Sequence, residues 1–286
     1  MVLTRPRNPA LRPFVQSLWA VGPTRTSRTD HITRERVLPT GAMHLVFRLS
    51  DHPLRLFETI EDPVGHSMGH AIVGGVRAAF YVRDISEPVH SVGAQLHPSV
   101  STVLFGAPAQ DFAGRHTSLD DLWGASAAEV RERLQVDNPE RQLEILESVL
   151  ADRLSQMRPL HPAVRHALER FSANASVHDI VREVGWSHRR FIELFRNAMG
   201  LTPKLYTRLL RFRRTIRRIA AGPESSWVDV ALESGYSDQP HFNREFHEFA
   251  GITPGEYRAL TPPHAHHVPV RPAPGGAPRT GRPAGR

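Results

Sequence analysis

Short apolar runs divided by turn residues fill residues 13–100. Leu18–Val21, His44–Leu49, Ile72–Val76 and Val89–Leu96 have strand length, with Pro23, Pro39-Thr40-Gly41, Pro53, Pro63 and Gly74-Gly75 between them. After Pro98 the period becomes helical, over Ser99–Phe105, Ser126–Leu134 and Pro139–Met157. In the last of these, Leu143, Leu146, Leu150 and Leu154 share one face, the pattern of a core stripe or, less often, of a dimer seam. Pro159 and Pro162 disfavour continuous helix, so the stretch from Arg158 to Pro162 predicts an interdomain break. From Ala163 to Leu260 every periodic segment reads as helix. The expected architecture is multidomain. An α+β domain, strand-rich and then helical, spans 1–158 as a sensor or dimerisation unit, and an all-α domain spans 159–260. The segment 261–286, with seven Pro and four Gly, reads as a disordered basic tail.

Within the helical domain one design occurs twice. Val177–Val184 forms a short helix with Val177, Ile180, Val181 and Val184 inward; Gly185 supplies the permissive backbone of a tight turn. Ser187 stands at an N-cap, and His188–Met199 buries Phe191, Leu194 and Phe195. Fifty residues on, Trp227–Ser234, Gly235 and Ser237 (as N-cap) precede a helix from Asp238 to Phe249 that buries Phe242, Phe246 and Phe249. Pro240 falls in its first turn, where a missing amide costs little. Helix-turn-helix units over 177–200 and 227–251 are therefore expected, each with one helix anchored by aromatics and open on its other face, as major-groove entry requires. A long helix capped by Thr202 and opened by Pro203 joins them, with Leu205, Leu209, Phe212, Ile216 and Ile219 along one side.

Charge sharpens this picture. The net charge is +7, yet residues 1–159 carry −1, residues 160–260 carry +4, and the last 26 carry +4. The positive excess lies in the half that holds the repeated units, as binding to a polyanion would favour. Cysteine is absent, which excludes disulfides, thiol catalysis and cysteine-ligated zinc. No apolar run approaches the ~20 residues of a membrane span, and no secretory pattern opens the chain, so a cytoplasmic location is expected.

The run Gly235-Tyr236-Ser237-Asp238-Gln239-Pro240-His241-Phe242-Asn243-Arg244-Glu245-Phe246, followed by Gly251-Ile252-Thr253-Pro254-Gly255-Glu256-Tyr257-Arg258, resembles the signature of AraC/XylS-type regulators. The resemblance covers roughly residues 160–260. It implies a transcription factor that places two helices in successive major-groove segments of a promoter operator. By that resemblance Arg189, Ile192, Glu193 and Arg196 face bases from the first unit, and Pro240, His241 and Arg244 from the second. Arg can read guanine, Glu can accept from cytosine, and Ile192 can pack on a thymine methyl. Ser187, Lys204, Arg208, Arg211, Ser237 and Asn243 are the expected phosphate contacts. Val181 departs from the family's usual small Ala, while Ile192 and Pro240 are poor hydrogen-bonding readers, which points to a share of indirect readout. The first half resembles the sensor-like domain of one branch of the family through Arg36–Gly41, Val92–Pro98 and Leu119–Gly124. RNA polymerase, a small-molecule effector and a second copy of the chain are further implied partners; no cofactor is expected.

A competing chemistry rests on Gly65-His66-Ser67-Met68-Gly69, which fits the G-x-S-x-G nucleophile motif. That motif needs a buried strand before it and a helix after it, and Glu61-Asp62-Pro63-Val64 is no such strand. His66 and His70, with His44 or His52, form the other candidate, a metal site, though flanking glycines argue against one helical face. The rival reading is thus an enzyme, a serine hydrolase at Ser67 or a metal-dependent one, tethered to DNA by the second half. His264, His266 and His267 are expected to be solvated.

Overall fold

The computed structural model describes residues 1–24, 32–157, 159–222, 226–262 and 264–271. The first half, joined by one strand from residues 267–269, builds two antiparallel sheets. One has six strands in the order β1 (Val2–Thr4), β2 (Val15–Thr24), β9 (Val89–Leu96), β4 (Met43–Arg48), β7 (Ala71–Gly74) and β10 (His116–Ser118). The other runs β11 (His267–Pro269), β3 (Arg34–Val37), β8 (Tyr81–Asp84), β5 (Arg55–Phe57) and β6 (His66–Ser67).

Strand alternation decides what each face meets. On β4, Met43, Leu45 and Phe47 are fully buried in the main core, whereas His44, Val46 and Arg48 point into the space between the sheets. β7 does the same, with Ala71 and Val73 in the core and Ile72 and Gly74 towards the gap. Helices α1 (Ser101–Phe105), α2 (Ala109–Phe112), α3 (Asp120–Trp123), α4 (Ala125–Arg133) and α5 (Pro139–Leu154) follow. Leu143, Leu146, Leu150 and Leu154 of α5 are all buried in that core, where the helix packs on β2 and β9. The stripe is core. α5 stops at Leu154, three residues before Met157.

The four expected strands all belong to the six-stranded sheet. The second sheet lacks an apolar alternation: β3 reads Arg34-Glu35-Arg36-Val37 and β6 is only His66-Ser67. Each strand of that sheet except β6 buries only one or two side chains, such as Val37 of β3 and Val82 of β8, too few to set a pattern. β11 corrects the reading of 261–286 as wholly disordered. Val268 is fully buried, His267–Pro269 pairs with Val37–Glu35, and the Leu38 N–H donates to the His266 carbonyl at 2.8 Å. His267 is not simply solvated either: its Nδ1 lies 2.7 Å from Glu35 Oε1. His266 is half-buried, and loss of hydration pushes its imidazole down to about 4. Residues 272–286 of the expected tail, and Arg158 of the expected break, lie outside the described residues.

The second half is helical: α6 (Pro162–Ser172), α7 (Val177–Val184), α8 (His188–Met199), α9 (Pro203–Ala221), α10 (Trp227–Glu233), α11 (Gln239–Ala250) and α12 (Pro254–Leu260). Two cores meet on α9. Val164, Phe171, Ile180, Phe191 and Phe195 form a separate cluster around α6, α7 and α8, against which Tyr206 and Leu210 pack. The opposite side of α9, through Leu209, Phe212, Ile216 and Ile219, joins Phe242, Phe246 and Phe249 to the same core as the N-terminal sheet. The second unit is therefore continuous with the first half of the chain, and the first unit has a core of its own.

Candidate nucleic-acid interface

Both units have the expected turn geometry. α7 and α8 are joined through Gly185 at φ +72°, and α10 and α11 through Gly235 at φ +87°, a left-handed conformation that side chains with a Cβ resist. Ser187 caps α8, its Oγ accepting from the Arg190 N–H at 3.4 Å. In the second unit the cap shifts by one residue. Asp238, not Ser237, accepts from the His241 N–H, at 2.7 Å, and α11 begins at Gln239. The ionised carboxylate is the stronger acceptor for an orphan amide, and Ser237 instead donates to Asp238 and approaches His241 Nδ1 at 3.2 Å.

The aromatic anchors fix which faces remain open. Phe191 and Phe195 are fully buried and Leu194 half-buried, leaving Arg189, Ile192, Glu193 and Arg196 exposed along α8. On α11, burial of Phe242, Phe246 and Phe249 leaves Pro240, Asn243, Arg244 and His247 exposed and His241 half-buried. Each buried phenylalanine contributes roughly 1.5–3 kcal/mol, enough to hold its helix in one orientation. Pro240, His241 and Arg244 share one end of α11, and the last two line a concave surface with Lys204 and Arg208 of α9. The α8 residues form a separate exposed row. The two sets belong to different helices, both packed against α9.

The basic side chains of α9 differ in how far they are committed to other groups of the chain. Arg208 and Arg211 both pair with Glu245, at 2.7 and 2.9 Å, and Glu245 is only 2% exposed. Burial alone would raise the Glu245 carboxyl, but hydrogen bonds from Arg211 and Arg208 outweigh it and hold the group below its ordinary range. Arg208 also pairs with Glu248, and Arg211 lies over the Tyr236 ring at 4.5 Å. Arg214 bonds Asn174 and Arg218 pairs with Glu233, so α9 grips the first unit on one side and α10 on the other. Lys204 and Arg217 remain exposed. The sequence pattern did not single out Glu245. Its sign was an acid at helical spacing between Phe242 and Phe249, on the buried side of α11.

The first unit is braced from behind. Arg170 of α6 makes two hydrogen bonds to Glu183 of α7, at 3.1 and 2.8 Å, and His166 adds a third at 2.7 Å. Pairs this exposed contribute little individually, and the network serves to fix α7 against α6.

The helix-turn-helix domain family HTH_18 matches residues 164–260, and a domain of unknown function, DUF6597, matches residues 4–118. A crystal structure of a transcriptional regulator with an AraC-type DNA-binding domain, from Chromobacterium violaceum, is 32% identical. The alignment covers 92% of that chain and 35% of this one, with a TM-score of 0.32. Residues 164–260 form a helix-turn-helix domain of the AraC type. Among similar proteins, the Putative HTH-type transcriptional regulator YkgA of Escherichia coli is 36% identical over 29% of this chain and 34% of its own length. The HTH-type transcriptional regulator ArgR of Pseudomonas aeruginosa is 28% identical over 34% of this chain and 31% of its own. The likeness thus spans about a third of the length of each of these curated relatives.

The remaining candidates are dispersed or misplaced for chemistry. Ser67 is exposed on the two-residue edge strand β6 and is followed by β7, not by a helix, so the nucleophile elbow does not form. His44 bonds Thr40 at 2.9 Å, His70 bonds the Asp51 carbonyl at 3.1 Å, and His52 lies 3.7 Å from Glu87. Among the described residues no three His, Asp or Glu side chains gather as metal ligands. No helix among them is long and apolar enough to cross a membrane.

Proposed function

We propose that this chain is a sequence-specific DNA-binding transcription regulator working in the cytoplasm, with α8 and α11 as its two recognition helices. The observation that carries this reading is the pair of Phe-anchored helices whose open faces present Arg189 and Arg196 in one unit and Arg244 in the other. α9, locked to both units, keeps them at one separation, as reading two successive major-groove segments requires. Arg189, Ile192, Glu193 and Arg196 read bases from the first unit; Pro240, His241 and Arg244 read from the second. Ser187, Lys204, Ser237 and Asn243 contact phosphates, and Arg208 and Arg211 contribute only the part of each guanidinium that Glu245 leaves open. The DNA-binding domain is taken as 159–260, with 1–158 sensing an effector or mediating dimerisation and thereby modulating contact with operator and polymerase. Because the reader sets differ, the operator is asymmetric within one protein's footprint. Footprinting of the full chain on neighbouring promoter DNA tests this: two protected major-groove segments about 10–10.5 base pairs apart on one face are expected. Uniform, sequence-independent protection would overturn it.

A further inference from the structure

The space between the two sheets holds more positive charge than the protein itself neutralises. His44, Arg48, Arg77, Tyr81, Arg83 and His116 line a cavity of about 40 Å³, room for a few water-sized groups. Two of its guanidiniums are committed. Arg83 bonds Glu35 at 2.7 Å, and Arg77 donates to the Gly114 carbonyl at 2.7 Å and stacks over Tyr81. Arg48 is different. It is 4% exposed, its Nε has no hydrogen-bond partner, and no carboxylate of the described residues lies within ion-pair distance. The nearby acids are already engaged: Glu35 with Arg83 and His267, Asp84 with Ser86 and, at 4.0 Å, Arg55. Loss of hydration, with added repulsion from Arg83, outweighs the attraction of the more distant Asp84 and pulls the Arg48 guanidinium down to about 10.

A buried cation without a counter-charge is costly, and such a group is retained where something supplies the missing anion. We infer that the inter-sheet cavity is the binding site of a small organic carboxylate, whose head forms a bidentate pair with Arg48. The guanidinium fork of Arg48 matches a carboxylate in geometry, and Arg77, held by a carbonyl and a ring but by no carboxylate, adds to the positive potential that an anion would meet. Val46, Leu54 and Ile72 give the cavity apolar walls for a short alkyl body. His44 and His116 are held neutral, at about 3, chiefly by loss of hydration, so they offer hydrogen bonds without further charge. Arg48 also borders an open cleft with His52, Arg55, Ser67 and Glu87, which provides the way in. The site is independent of the DNA-binding reading, since none of its groups lies on α8 or α11.

The test is thermal unfolding and calorimetric titration of the full chain with sodium acetate, propionate and butyrate. Propionamide, sodium phosphate and sodium chloride at matched ionic strength serve as controls. A carboxylate should bind saturably and raise Tm by about 5 °C at a hundredfold excess over Kd, while propionamide and chloride should not. Arg48→Met should melt no lower than the ligand-free wild type, because it removes an unpaired buried charge, and should lose the response. Arg48→Lys, which keeps the charge without the fork, should bind about tenfold more weakly. The inference fails if no carboxylate exceeds chloride, if Arg48→Met responds like wild type, or if phosphate alone stabilises. Should Arg48→Met not fold, the wild-type contrast between propionate and propionamide decides the matter.

Discussion

The Phe80 backbone N–H donates to the Phe249 carbonyl at 3.0 Å, joining the segment before β8 to the end of α11. Next to this bond the Phe80 ring lies where a Cβ on Gly251 would stand, and Gly251 sits at φ +67°. The equivalent glycine of the first unit, Gly200, presses on Val76 and Ala109. Both α8 and α11 therefore end against the N-terminal half.

Gly251→Ala incurs two costs, a left-handed alanine of about 1–2 kcal/mol and a clash with Phe80 of about 1–3 kcal/mol. Urea unfolding should show a combined loss of about 2–5 kcal/mol. In a Phe80→Ala background only the backbone cost should remain. An identical loss in both backgrounds would mean that the ring does not contact this position.

Glu245 holds two arginines from beneath α11, so Glu245→Gln should destabilise the domain by about 2–3 kcal/mol, less than a fully buried pair because both arginines are a quarter exposed. The Glu245 carboxyl lies below its ordinary 4.5. Its contribution is accordingly complete above about pH 4.5 and fades as pH falls through the folded value. The wild-type and Glu245→Gln melting curves should converge in acid; a gap that persists there would show that the ion pairs are not its source.

For DNA, Arg189→Ala and Arg244→Ala should each weaken cognate binding by ~1–3 kcal/mol with smaller losses on random sequence. Lys204→Ala should weaken both alike and lower the salt slope by about 1. Arg208→Ala should leave that slope almost unchanged, its guanidinium being committed to Glu245 and Glu248. Gel-shift titrations across salt concentrations separate these cases, and equal losses on cognate and random DNA for Arg189→Ala would remove it from the base readers.

Glu35 is pulled from 4.5 to about 2: burial opposes ionisation, but Arg83 and His267 outweigh it. The carboxylate stabilises the fold by about 3 kcal/mol above pH 4.5, and that contribution drains away between about 4.5 and 2. Glu35→Gln should therefore melt below wild type at pH 7 and alongside it near pH 2. A constant difference across that range would exclude the Glu35–Arg83–His267 cluster as the cause.

What was legible in the chain depended on how each element is held. α7, α8 and α10 appear in the sequence almost to the residue, because caps, turn glycines and buried aromatics at helical spacing all agree. The four inner strands of the first sheet, β2, β9, β4 and β7, were also plain, since each places apolar residues in the main core, whereas its edge strands β1 and β10 bury none and leave no such pattern. β3, β5, β8 and β11 were not, for Arg34, Glu35, Arg83 and His267 look like surface residues until the fold brings them together. The same holds for Arg208 and Arg211: composition marks them as free cations, and only the packing of α11 on α9 delivers Glu245 to them. Local pattern reports what a segment buries against the core, not which polar groups meet across sequence separations of 34 or more residues.

β11 has a consequence for how the protein comes into being. Its partner β3 is made more than two hundred residues earlier, so the edge of the second sheet stays open throughout synthesis of the helical half. An open edge is a template for stray pairing until its own strand arrives. Truncations that end the chain at Leu260, the natural-looking limit of the DNA-binding domain, would leave that edge permanently unpaired and should be the aggregation-prone ones.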